Sequence, residues 1–155
     1  MYLYLGRAMI KHDPQATRDY FEDAFQQKNN QQDTLSLASI TIRLAEWCFL
    51  HKDLPAAEKK AEEAYKLALP SGDTIVTAET LLIWGQIQCT MTHYEVGDKH
   101  LIAGLNILER LQIYDELAEQ LAMYAQLLAE RNMAQQAITY YKRAFESRQR
   151  TGTYL

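Results

Sequence analysis

The residues of this chain that could do chemistry are four histidines and two cysteines. His12, His51 and His93 fall at or near breaks between helical stretches, and His100 lies within one. Metal sites and nucleophile–base pairs need such residues at set spacings, as in HExxH, CxxC or GxSxG, and the sequence contains none of these motifs. We therefore expect solvated turn histidines, no catalytic residue, no metal site and no cofactor, and we interpret the chain as not an enzyme.

Cys48 and Cys89 occupy nearly equivalent places in two apolar helical stretches. Their surroundings predict reduced, buried thiols in a cytoplasmic protein rather than a disulfide framework or a redox pair. The 155 residues carry a net charge of −4, which argues against nucleic acid as the partner. We interpret the basic end of the last helical stretch as a complement to its helix dipole. No apolar run reaches the about 18 residues that suggest a membrane span.

The sequence repeats with a period of forty residues, and the helices of this repeat must position any functional site. Small residues recur in three columns, which are Ala24, Ala64, Gly104 and Ala144; Thr17, Ala57, Gly97 and Ala137; and Ala45, Gly85 and Ala125. Each unit shows two stretches of helical apolar spacing, so we predict one all-α domain over 1–155 with units 1–32, 33–72, 73–113 and 114–150. The predicted helices are 1–11, 14–28, 34–51, 55–69, 74–91, 94–111, 115–131 and 134–149.

Helix boundary signals support these spans. Asp53 is a candidate N-cap, with Pro55 tolerable in the first turn that follows. Gly72 can adopt a left-handed conformation after one helix, and Asp73 can cap the next. The segment from Thr92 to Glu95 has the form of a capping box.

The side-chain pattern resembles the tetratricopeptide repeat, although that motif is nominally 34 residues long and armadillo and HEAT repeats fit the length better. A bulky residue precedes a small one in the first helix, as at Trp84-Gly85 and Tyr124-Ala125. The second helix carries small residues around a larger one, as at Gly97, Leu101 and Gly104. Similar extended arrays occur in kinesin light chains, bacterial transcription activators and peptide-sensing regulators. The resemblance implies an α-solenoid of about four antiparallel helical hairpins in a right-handed superhelix.

In this family the concave groove is lined mainly by the first helices, and the resemblance therefore implies a partner-binding stripe beside the core. The residues in that stripe are Ser39, Arg43, Glu46, Leu50, Glu79, Ile83, Gln86, Thr90, Glu119, Met123, Gln126 and Glu130. The alternative is that they form only the polar side of ordinary helices, with binding on the convex face. The family's clamp for a C-terminal carboxylate is mostly missing, because the residues at its positions are Ile42, Glu46, Arg43, Ile83, Glu79 and Glu119. We expect a neutral or basic protein or peptide segment as the partner.

The leading functional hypothesis is a non-catalytic binding scaffold, the regulatory or oligomerisation module of a bacterial transcriptional or signalling regulator. The alternatives are a free-standing adaptor or assembly chaperone with one client protein, and the helical domain of an enzyme. The short first unit and the lack of a polar capping helix favour a fragment of a larger protein. Exposed end faces would then meet missing neighbours or a second copy of the chain.

Two residue-level predictions complete the sequence-based picture. Gly85 is expected to permit close helix approach with Trp84 as a wedge beside it, so that Gly85→Ala is mild or stabilising and Gly85→Leu overpacks. Trp47 lies beside the core register and is expected to be partly exposed.

Overall fold

The computed structural model describes residues 14–30 and 33–151, and this part of the chain is all-α. Its seven helices are α1 (Pro14–Asn30), α2 (Thr34–Leu50), α3 (Leu54–Ala68), α4 (Ile75–Thr90), α5 (Tyr94–Arg110), α6 (Tyr114–Glu130) and α7 (Ala134–Thr151). A single 3₁₀ turn, Leu69–Ser71, follows α3. The predicted helices are confirmed to within two residues at each end, except that the helix predicted over 1–11 lies outside the described residues.

The starts of α2 and α3 follow the expected capping chemistry, and the start of α4 requires a correction. The Asp33 carboxylate accepts from the Ser36 amide at 3.1 Å, and the Asp53 carboxylate accepts from the Ala56 amide at 3.3 Å. Before α4, however, the cap is Thr74 and not Asp73. The Asp73 carboxylate instead pairs with the Arg110 guanidinium at 2.7 Å. Gly72 has the positive φ of +73° expected of a left-handed residue, but its ψ of −148° lies outside the left-handed helical region that was predicted for it.

Four tight turns use one backbone conformation. Lys52, Thr92, Gln112 and Asn132 have φ between +58° and +65°, each two residues after the end of a helix. The amide of the next residue bonds back to a carbonyl five residues earlier, as from His93 to Gln88, which ends the helix in a Schellman-type cap. The predicted capping box at Thr92 is therefore wrong. The N-cap position of α5 is His93, and no side chain caps it.

These short turns make sequential helices antiparallel neighbours, and α2–α3, α4–α5 and α6–α7 form hairpins. The hydrophobic core extends across the interfaces between successive hairpins. One cluster contains Ile42, Ala45 and Ala57 of the first hairpin together with Ile87 of α4. A larger cluster joins α4, α5, α6 and α7 through buried residues such as Leu82, Leu105, Leu108, Leu121 and Ala144. Each hairpin thus buries its apolar face against its neighbours, as expected for a helical-repeat solenoid.

Three glycines allow the helices of the α4–α5 hairpin to approach closely, with Gly85 and Gly97 opposite each other and Gly104 opposite Leu82. A Cβ atom on Gly85 would lie 2.8 Å from the Gly97 carbonyl oxygen and 2.7 Å from Leu101 Cγ, and one on Gly97 would lie 3.0 Å from the Gly85 carbonyl oxygen. A Cβ atom on Gly104 would meet Leu82 Cγ at 2.7 Å. The expectation that Gly85→Ala is mild is therefore revised, because even one methyl group would press on backbone.

The other structural repeat positions lie in the same packing columns. Ala45, Ala64 and Ala125 are fully buried, and Ala144 is 6% exposed. Trp84 is half-buried between hairpins, with its ring stacked on His100 at 4.0 Å and tilted toward Tyr65 at 5.6 Å.

The expectation for Trp47 is wrong, because this side chain is only 8% exposed. Its ring stacks on His51 at 4.0 Å, and the Arg18 guanidinium lies 4.7 Å from the ring centroid. A cation over the face of an indole is favourable. Trp47 therefore joins α1 to the end of α2, a contact that the repeat register does not reveal.

Candidate functional site

A pocket of about 80 Å³ opens where the first helices of three successive hairpins, α2, α4 and α6, come together. We name it the groove pocket, and its lining residues are Arg43, Glu46, Glu79, Leu82, Ile83, Gln86, Glu116 and Gln120. Five of these belong to the predicted binding stripe. A small-molecule site usually measures about 300–1,000 Å³. The groove pocket is therefore sized for one side chain of a larger partner.

Arg43 is the electrostatic centre of the groove pocket. Its side chain is only 4% exposed, and its guanidinium pairs with Glu46 of the same helix at 2.5 Å and with Glu79 of α4. A buried guanidinium needs such carboxylates, because an unpaired charge away from water is costly. Arg43 thus cross-links two hairpins, and its positive charge is neutralised by the carboxylates of Glu46 and Glu79. It does not offer a clamp to a partner's carboxylate.

Glu116 and Gln120 of α6 form the opposite wall of the groove pocket. The Gln120 amide nitrogen donates to the Glu116 carboxylate at 3.2 Å. With Arg43 positive and Glu46, Glu79 and Glu116 negative, the lining carries a net charge of −2 at pH 7. Ile83 adds an apolar surface, and Gln86 adds an amide that can both donate and accept. The pocket can therefore receive a cationic or neutral side chain and bond to polar groups beside it.

Sequence reasoning missed Glu116 and Gln120 because it carried the stripe forward by the forty-residue register, from Glu79 to Glu119. The wall of the groove pocket instead uses the face of α6 that begins three residues earlier. The only sequence signal for these two residues is their i,i+4 spacing, which is typical of side chains that bond along one helix face.

The remaining residues of the predicted stripe do not line the groove pocket. The exposed residues among them, all outside the pocket, are Leu50, Thr90, Glu119, Gln126 and Glu130. Ser39 and Met123 are half-buried, and Met123 packs against the large core cluster. The Gln126 amide donates to Glu130 at 3.3 Å along the surface of α6.

A second, smaller cavity of about 40 Å³ lies among α5, α6 and α7. Its walls include Glu109, Tyr114, Arg143 and Arg150. Arg143 pairs with Glu109 at 3.3 Å, and Arg150 donates to the Tyr114 hydroxyl at 3.4 Å. The Arg143–Glu109 pair joins neighbouring hairpins, and the Arg150–Tyr114 bond joins the two helices of one hairpin, so Arg143 and Arg150 are both engaged in surface contacts.

His51, His100 and the two cysteines take part in packing, whereas His93 is exposed and His12 lies outside the described residues. His100 contacts Gln88 at 2.6 Å under the Trp84 ring, and burial together with Lys99 lowers the pKa of His100. Burial, reinforced by Asp98, raises the pKa of the Cys89 thiol to about 11. Burial likewise raises the pKa of Cys48. Both cysteines are free thiols, protonated at neutral pH and therefore weak nucleophiles.

Asp98 anchors the start of α5 to the hairpin that follows. It binds the Arg131 guanidinium through both carboxylate oxygens, at 2.7 and 3.0 Å, and Arg131 also lies 4.1 Å from the Tyr94 ring centroid. Burial and Asp98 raise the pKa of Tyr124. Within residues 14–30 and 33–151, no group of three or more His, Cys, Asp and Glu side chains is arranged to hold a metal ion.

Comparisons with known proteins match the fold and not the sequence. No family model matches the chain, and no curated protein matches it. None of the helices described here is long and apolar enough to cross a membrane. Among solved structures, the chain is similar to aspartyl phosphate phosphatase F from Bacillus subtilis, with a TM-score of 0.84 and 15% sequence identity. The match covers 98% of this chain and 40% of that one, so the chain spans about two fifths of the solved structure and shares its helical-repeat fold.

Proposed function

We propose that this chain is a non-catalytic protein- or peptide-binding module of the tetratricopeptide type, with the groove pocket as its contact site. The observation that carries the proposal is the composition of this pocket. Three successive first helices supply a net negative lining, an apolar wall at Ile83 and side-chain amide groups at Gln86 and Gln120. A segment with a lysine, arginine or neutral polar side chain complements that lining.

The buried ion pairs sharpen the partner's chemistry. Because Arg43 is bound by Glu46 and Glu79, a partner's C-terminal carboxylate would meet carboxylates without a free cation in the pocket. The small volume favours insertion of one side chain while the peptide backbone lies across the helices, where glutamine amides suit backbone groups.

A finer proposal is that the module belongs to a bacterial regulator. Its support is the likeness of the repeats to those of bacterial regulators, together with the similarity in fold to a Bacillus subtilis protein named for aspartyl phosphate. The chain's own activity in such a protein would be to bind a segment of another protein. An adaptor with a single client would use the same pocket.

The test begins with selection of binding peptides from a displayed random library, followed by fluorescence anisotropy on the selected peptides. Glu116→Lys should weaken binding by about tenfold or more, because it puts a cation in the pocket wall. Glu119→Lys is the matched control, with the same charge change on the same helix outside the pocket, and it should leave the affinity within about twofold.

Glu79→Lys is unsuitable for this test, because Glu79 neutralises the buried Arg43 and its replacement would destabilise the fold. Gln86→Ala provides a second probe of the pocket without a change in charge. Selected peptides that bind Glu116→Lys and Gln86→Ala as tightly as the parent would place the contact surface elsewhere and refute the proposal.

A further inference from the structure

The outer face of α7 carries an apolar stripe. Ile138, Tyr141 and Phe145 are 53%, 46% and 54% exposed, and their spacing of three and four residues puts them on one side of the helix. Most large apolar side chains of the other helices are buried in the core clusters. Contiguous exposed apolar groups of this kind mark interaction surfaces.

The repeat register relates the exposed stripe on α7 to equivalent positions on α5. Forty residues earlier, on α5, stand Asp98, Leu101 and Leu105. Leu101 and Leu105 are 0% and 1% exposed and share a cluster with leucines of α6, and Asp98 is bonded to Arg131 at the end of α6. These positions of a second helix therefore lie in the core shared by its own hairpin and the first helix of the next one. On α7 the same positions are half exposed.

The charges on α7 define the chemistry of a helix that could cover the stripe. Arg148 stands forty residues after Leu108, which is fully buried next to the start of α6, and it is exposed. Lys142 lies beside the stripe, and neither cation forms an ion pair with any residue in the described ranges. A covering helix that runs antiparallel to α7 would place its first turn near Arg148. An acidic residue in that turn would pair with Arg148 and would also favour the helix dipole.

We propose that the outer face of α7 binds an amphipathic helix that has an acidic first turn and an apolar stripe of leucine or aromatic residues. The helix that meets this description in the chain itself is α6, which covers α5. It has Asp115 and Glu116 in its first turn, leucines at positions 117, 121 and 128, and no lysine or arginine.

A second copy of α7 fits this face less well than an acidic helix does. Two α7 helices packed on their stripes would bring Lys142 and Arg148 of both copies into one interface, and like charges at close range oppose association. The observations therefore favour a heterologous helix over self-pairing. The face lies on a different helix from those of the groove pocket, so the two proposals stand independently.

The probe is a fluorescein-labelled, end-blocked peptide with the sequence of residues 114–130, titrated with the full chain at low ionic strength and followed by anisotropy. We expect saturable binding below about 1 mM, weakened about tenfold by Ile138→Ser with Tyr141→Ser, and about threefold by Lys142→Glu. A peptide with Asp115→Lys and Glu116→Lys should bind more weakly than the parent peptide. Circular dichroism checks that each variant keeps its helicity.

Three matched controls separate this surface from others. Val96→Ser removes an apolar side chain that is 45% exposed on α5, and Lys66→Glu reverses an exposed charge on α3. Both should leave peptide binding unchanged, as should Glu116→Lys in the groove pocket. Failure of the peptide to bind at about 1 mM would overturn the proposal. Loss of peptide binding only in the Glu116→Lys variant of the full chain would also overturn the proposal. A dimer in light scattering that Tyr141→Ser dissociates would assign the face to a second copy instead.

Discussion

At the scale of single residues, the contact between Gly85 and Gly97 leaves no room for a Cβ atom on either residue. Because a Cβ atom on Gly85 would lie 2.8 Å from a backbone oxygen, Gly85→Ala should lower the free energy of unfolding by about 1–3 kcal/mol despite the better helix propensity of alanine. Urea unfolding followed by circular dichroism measures the change. Thr90→Ala, at an exposed position of the same helix, is the control and should stay within about 0.5 kcal/mol of the parent. A rise in the unfolding midpoint of Gly85→Ala would show that the helices can move apart without cost.

Thr92 is a second residue whose backbone decides its effect on stability. It is β-branched and has φ of +65°, a region that costs such residues more than asparagine or glycine. Thr92→Asn should therefore raise the free energy of unfolding by about 0.5–1 kcal/mol. Asn132 holds the equivalent turn forty residues later, so the reciprocal Asn132→Thr should lower stability by a similar amount. Thermal unfolding of both variants checks the pair, and shifts of the same sign would contradict this explanation.

At the scale of elements, the Trp84–His100–Gln88 contact makes the α4–α5 hairpin sensitive to acid. Burial lowers the pKa of His100 in the folded chain, so the unfolded chain takes up the proton first. The contribution of neutral His100 to the free energy of unfolding is therefore complete above the unfolded pKa of about 6.5. It decreases as the pH falls below that value. We expect His100→Gln to reduce the loss of stability between about pH 7 and pH 5, while His93→Gln, at an exposed turn, should not. Unfolding curves at several pH values test this, and identical pH profiles for all three proteins would refute it.

The sequence predicts the spans and the buried faces of the helices, but it does not predict how closely two helices pack. Helix spans and the small-residue columns follow from local spacing and are predictable, because burial of one face of a helix imposes a period on the sequence. The distance between helices is not encoded in that way. Whether Gly85 has room for a methyl group, and which face of α6 supplies Glu116, depends on how two helices settle against each other. Trp47 was misjudged for the same reason, since its cover comes from α1.

At the scale of the whole molecule, stability should be unevenly distributed along the repeat array. Among the residues whose side chains are described, the largest core cluster joins α4, α5 and α6 with two alanines of α7, whereas the cluster next to α1 contains four buried residues, among them Phe21 and Ile40. In a solenoid each hairpin is stabilised by its neighbours, so the interior should open last. Hydrogen exchange measured by mass spectrometry should show the slowest amides in α4–α6 and faster exchange in α1 and α7. The peptide of residues 114–130 should slow exchange in α7 if it covers the outer face there, and slow exchange in α7 without the peptide would mean that the face is already covered in the free chain.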